Sequence, residues 1–125
     1  MFKDSQAFSS FSVNDLHAAK TFYAETLGLD VNEEDGFLNV QLAGGSAVLV
    51  YGKEDHLPAT FTVLNFSVPQ VESAVAALNQ KGVKFEIYHD GELQTDDQGI
   101  SRADGQAIAW FKDPAGNILS LMETR

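Results

Sequence analysis

Cysteine is missing altogether from the 125 residues. That removes disulfides, thiolate nucleophiles and thiolate metal sites together. Basic residues are scarce too: eight Lys and Arg stand against eighteen Asp and Glu, a formal net charge of −10. A phosphate backbone requires a basic face, so no nucleic acid partner is expected. An anionic membrane surface is disfavoured for the same reason, and the acidic surface is read as serving solubility. No window approaches the roughly 20 apolar residues that span a bilayer. The opening MFKDSQAF carries no apolar signal core, so the expectation is no export and a cytoplasmic location. Proline is rare, at three residues, and no Pro/Gly/Ser-rich or low-complexity run divides the chain. A single domain over residues 1–125 is therefore expected, burying roughly two-thirds of its unfolded surface.

What the chain does have is an internal repeat. FSV at Phe11–Val13 returns at Phe66–Val68, 55 residues on, and the offset pairs Leu16 with Val71 and Ala19 with Ala74. In the first copy Phe11 and Val13 alternate as on a strand spanning 7–13. Asn14 or Asp15 can cap a following helix, because a short polar side chain accepts the free amide hydrogens of its first turn. Leu16, Ala19, Phe22, Tyr23 and Leu27 recur at helical spacing and predict one helix over 15–27 that ends at Gly28. The second copy predicts a strand over 60–68 and a helix over 70–81, with Val71, Ala74, Val75 and Leu78 inward. Three strands follow each helix: 30–33, 37–42 and 47–51 in the first half, 84–88, 106–112 and 118–123 in the second. The turn DPAGN joins the last pair, where Asp113 organises the backbone, Pro114 fixes one angle and Gly116 permits a positive one. Placing Gly45 on Gly116 superposes the two final hairpins and sets Leu49 on Ser120. The fold class is thus α+β: two βαβββ modules, at about 6–52 and 59–124, forming a curved mixed β-sheet with helices outside.

FSVNDLHAAKTFYAETLGL followed by FKDPAGNILSLME resembles the vicinal oxygen chelate superfamily. That group includes glyoxalase I, extradiol dioxygenases, fosfomycin-resistance enzymes and bleomycin-resistance proteins. The match runs over essentially the whole chain. It implies the fold strongly and the reaction weakly, because this fold hosts several chemistries. In metal-dependent members, ligands come from the first and last strand of each half and are usually His, Gln or Glu. The resemblance carries those positions onto Phe8, Leu49, Val63 and Ser120. Three are hydrocarbons and the fourth is a neutral hydroxyl, so no metal and no cofactor are expected. His17, His56 and His89 are expected to be solvent-exposed and not to replace the missing ligands.

Without a metal, the inner face must work by shape, stacking and hydrogen bonds. Strand alternation groups Phe8 with Ser10, Val63 with Asn65, Ser120 with Met122, and Leu49 with Tyr51. Trp110 lies three residues before the turn's Asp113, a position that faces the cavity in the family it resembles. On that resemblance Trp110, Phe8, Tyr51 and Met122 form an aromatic and polarisable wall, with Ser10, Asn65 and Ser120 as polar anchors. Leu49 and Val63 line the same face. The long polar segment HDGELQTDDQGISRADG holds one cation, Arg102, which can meet an anionic ligand or pair with Asp97 or Asp104. Two functions remain open. One is a metal-independent small-molecule binding protein of the bleomycin-resistance type, taking an apolar or aromatic ligand. The other is an enzyme of the same fold, a glyoxalase-like lyase, an isomerase or a dioxygenase-like protein. Relatives pair modules across two chains, so a homodimer is expected.

Overall fold

The computed structural model describes residues 1–124. Two compact units make up the chain: Met1–Leu57, and a second beginning at Pro58. Both have the α+β architecture expected from the sequence, and each closes a four-stranded mixed sheet of its own.

In the first unit, strand β1 (Ser9–Val13) leads into helix α1 (Leu16–Thr21). The Asp15 carboxylate caps the helix by accepting from the Ala18 N–H at 3.0 Å. The helix then widens into a π-helical turn, Phe22–Thr26, in which the Leu27 N–H reaches the Phe22 carbonyl at 2.9 Å. This corrects the single helix expected over 15–27. Tyr23 lies in the widened turn, fully buried, with rings of Phe11 and Phe22 at 6.1 and 5.2 Å. Strands β2 (Asp30–Glu34), β3 (Phe37–Gln41) and β4 (Ala47–Gly52) follow, and the sheet order is β1-β4-β3-β2. Only the β1–β4 pairing is parallel. Phe11, Val13, Leu38, Val40, Val48 and Val50 point to one face and form the core with Ala19 and Tyr23.

The second unit repeats the plan with strand β5 (Thr62–Val68) and helix α2 (Val71–Gln80). The first free amide of α2 is satisfied from a distance, since Glu123 Oε1 accepts from the Val71 N–H at 3.0 Å. The strand expected over 84–88 does not form. That segment makes a bridge from Phe85 to Phe111 and a bond from the Glu86 N–H to the Trp110 carbonyl at 2.8 Å. The Tyr88 backbone turns to Thr95, donating to its Oγ1 at 2.8 Å and accepting from its N–H at 3.0 Å. A two-stranded hairpin, β6 (His89–Asp90) and β7 (Leu93–Gln94), comes next. The fourth place in the sheet belongs to β8 (Ile100–Ser101), which pairs with β9 (Ile108–Lys112). Gly99 explains the exchange: at φ +86° it brings the turn before β8 so close that an added Cβ would sit 2.8 Å from Phe85 Cβ. With β10 (Ile118–Glu123) the sheet order is β5-β10-β9-β8. Val71, Val75, Val83, Ile100, Phe111, Leu119 and Leu121 are the buried apolar residues of this unit, joined by Ala109.

The β9–β10 turn has the build that its residues require. Asp113 is buried and its Oδ1 accepts from the Ala115 and Asn117 N–H groups, both at 2.9 Å. Gly116 takes the positive φ of +84° that a side chain would resist.

Candidate functional site

Strand pairing fixes which side chains share the face of each sheet opposite its core. In the second unit Asn65 stands opposite Ser120 and Ser120 opposite Trp110, so the three form one row across β5, β10 and β9. Met122 lies two residues further along β10, between Ser67 and Ile108. The Ser120 hydroxyl is fully buried and donates to Asn65 Oδ1 at 2.5 Å, while Asn65 itself is exposed. Trp110 is half-buried, and the Tyr88 ring meets it edge-on at 5.6 Å and 79°. Burial raises the Tyr88 pKa above its ordinary value of 10.0, as does the charge of Glu86, against a smaller opposing effect of Lys112. The phenol therefore stays neutral at physiological pH and can donate a hydrogen bond.

Val63 departs from the expected alternation. The ladder steps from Thr62 opposite Ile118 to Leu64 opposite Leu119, which leaves Val63 as the extra residue of a β-bulge. A bulge breaks the period of two, so Val63 cannot be assigned to Asn65's face by counting.

The first unit carries the matching row Ser10–Leu49–Asn39, and beside it Ser12–Tyr51–Phe37. Leu49 is half-buried, whereas Ser10 is exposed and Tyr51 is at the edge of exposure. Phe8 precedes β1 and is 68 % exposed. It borders a groove of about 460 Å³ together with Gln6, Asn39, Gly45 and Leu49.

Arg102 stands apart from both rows. Its guanidinium bonds to Asp96 Oδ2 and Glu72 Oε1, each at 2.6 Å, beside a groove of about 430 Å³ bordered by Gln70, Ala107 and Glu123. These partners replace the expected Asp97, and the side chain of Asp104 lies outside the described residues. Burial pushes the Asp96 carboxyl up, but bonds from the Ile100 N–H, the Arg102 guanidinium and the Gln98 N–H outweigh it. The net pKa is lowered from 3.8.

The sequence missed three residues here. His56 was expected to be exposed, yet it is half-buried with Nδ1 2.6 Å from Ser12 Oγ. The Lys53 N–H bonds to the Val13 carbonyl and the His56 N–H to the Lys53 carbonyl, folding the loop back onto β1. Tyr88 belongs to the segment read as an ordinary strand, and its alternation with Glu86 was the available signal. Asn39 is found by the 71-residue offset that sets Leu49 on Ser120, because the same offset sets Asn39 on Trp110.

The positions used by metal-dependent relatives do not fit a divalent ion. Phe8 and Leu49 in the first unit, and Val63 in the second, offer only hydrocarbon. Ser120 is one neutral oxygen whose proton is committed to Asn65. Zn²⁺ takes about four nitrogen, sulfur or oxygen donors. Among the described residues no group of three or more His, Asp or Glu is placed to hold a metal.

Comparison with known proteins agrees with this architecture. The family model described as "Glyoxalase/Bleomycin resistance protein/Dioxygenase superfamily" matches residues 7–121. No curated protein matches the sequence. Among solved structures, a glyoxalase family protein from Enterococcus faecalis is 26% identical with a TM-score of 0.72, over 98% of this chain and 100% of that one. TnmS3, an antibiotic binding protein from Streptomyces sp. CB03234, is 24% identical with a TM-score of 0.71, over 100% of this chain and 99% of that one. The oxidase ChaP-H2 is 19% identical with a TM-score of 0.65, over 98% of this chain and 95% of that one. At the last two identities the likeness is one of fold. Among the described residues no helix is long and apolar enough to cross a membrane.

Proposed function

The chain belongs to the glyoxalase/bleomycin resistance protein/dioxygenase superfamily, and from that premise we propose that it is a metal-independent binding protein for a small apolar or aromatic molecule. The fold does not choose the activity, since a protein named as an antibiotic binder and one named as an oxidase both share it. The observation that carries the reading is the row Asn65–Ser120–Trp110. A half-buried indole with Tyr88 at its edge offers a flat apolar surface, and an exposed amide at the other end of the row, across Ser120, offers polarity. Met122 and Ile108 extend the apolar area on the same face. On this reading Ser10, Leu49, Tyr51 and Phe8 are ligand contacts of the first unit, Val63 borders the second, and Arg102 serves the loop it ties to α2. The ligand is met in the cytoplasm, and a second copy of the chain completes a homodimer.

A thermal-shift screen of aromatic compounds tests this, run with EDTA and again with added divalent metals. Ligand binding raises apparent stability by mass action. The same compounds should raise the melting temperature equally in both series. Compounds that stabilise only when metal is present would overturn the reading.

The alternative, an enzyme of this fold, is favoured by one observation. Ser12 Oγ and His56 Nδ1 lie 2.6 Å apart, within reach for passing a proton. That reading predicts turnover of a bound compound that His56→Ala abolishes while leaving its affinity intact.

A further inference from the structure

The amide of Asn65 has a fixed orientation, and this determines what a ligand must bring. Ser120 is fully buried, and its hydroxyl donates to the Asn65 oxygen at 2.5 Å. Were the amide turned over, its N–H would point at the serine oxygen and the serine hydrogen would lose its acceptor. A buried hydroxyl without an acceptor is costly, so the carbonyl stays toward Ser120. The other end of the amide, Nδ2 with two N–H donors, has no partner among the described residues, and Asn65 is exposed. It stands in the row that ends at the Trp110 indole, with Ser120 between them.

Resting on the reading of this face as the binding site, we infer that the ligand is a neutral flat ring system carrying a carbonyl-type acceptor. The ring lies against Trp110 and Tyr88, and its oxygen accepts from Asn65 Nδ2. Neutrality follows from charge. The chain carries a net −10, and Lys112, two residues from Trp110 along β9, is already 3.5 Å from Glu86 Oε1. A carboxylate ligand would have to compete with Glu86 for Lys112 against a net negative chain. A ring bearing only donors would leave Nδ2 unpaired on binding and lose affinity.

Trp110 is the only tryptophan in the chain, so its emission reports on this face alone. The probes are 9-fluorenone and fluorene, which have the same ring frame and differ by the carbonyl. Both should change Trp110 emission saturably, with fluorenone binding about fivefold to tenfold more tightly, the worth of one neutral hydrogen bond. Asn65→Leu should bring fluorenone down to the affinity that the same variant shows for fluorene. Asn65→Asp, which replaces the donor with an acceptor, should remove the preference as well. Equal affinity of the two probes for the natural protein, with saturable emission changes, would overturn the acceptor rule and leave the aromatic site standing. No saturable change with either probe would overturn the rule and the proposed site together. Thermal melts of both variants identify any that fail to fold, and fluorene binding by Asn65→Asp keeps the test alive if Asn65→Leu does not.

Discussion

Ser120 has no exposed surface, yet its single hydrogen bond sets which end of the Asn65 amide faces solvent. Ser120→Ala removes that bond and fills almost the same volume. It should lower stability by about 1 kcal/mol in urea denaturation, because water can serve the exposed amide in its place. It should also release the amide to turn, so that the preference for fluorenone over fluorene shrinks. Unchanged preference would mean that something else orients Asn65. Asp96 offers a second residue-level test, through pH. Its folded carboxyl titrates below the ordinary value because the Ile100, Arg102 and Gln98 bonds outweigh its burial. Those bonds therefore stabilise the fold fully above about pH 4, the unfolded value, and their contribution is lost as pH falls through the lower folded one. The Asp96 side chain is 40% exposed, so solvent screening limits the effect. Asp96→Asn should cost about 0.5–1 kcal/mol at pH 7, with the difference from the natural protein shrinking as pH falls below about 4. A difference that does not change as the pH falls would show that the carboxylate charge plays no part.

The elements show where alternation can be read from sequence and where it cannot. The 71-residue offset marks Ser120, the period of two marks Asn65 and the resemblance marks Trp110, and the continuous ladders set the three in one row. The same counting fails at Val63, where the bulge inserts a residue with no pattern in the side chains to announce it. It fails again over 84–101. There β8 displaces the expected strand through a closure that depends on Gly99, remote in kind from any apolar periodicity. His56 against Ser12 and Arg102 against Glu72 are likewise loop closures over 44 and 30 residues, beyond the reach of local propensity. Gly99→Ala tests the account of β8. A Cβ there would lie 2.8 Å from Phe85 Cβ and 3.0 Å from the Glu86 carbonyl, at a φ of +86°. The variant should lose about 2–3 kcal/mol. Amide hydrogen exchange should locate the loss at residues 85–101 and leave β1–β4 protected; a loss below about 0.5 kcal/mol would mean the turn does not depend on glycine.

At the scale of the molecule, one plan appears twice and has diverged on the face opposite each core. The second unit holds Asn65, Ser120 and Trp110 where the first holds Ser10, Leu49 and Asn39, so only the second combines an indole with a fixed donor. Exposed apolar residues, Phe8 at 68 % and Phe61 at 67 % among them, and sheets ending on edge strands motivate the proposed pairing of two copies. Light scattering should then give twice the 13.6 kDa of one chain, and a particle of one chain's mass at high concentration would contradict it. The central claim, that this protein binds a flat neutral molecule at Trp110 without metal, has a more direct test. Protein dialysed against EDTA is titrated with 9-fluorenone, followed by Trp110 emission, and the titration is repeated after adding back zinc. The account predicts saturable binding with the same dissociation constant in both. Binding that appears only with zinc would contradict it.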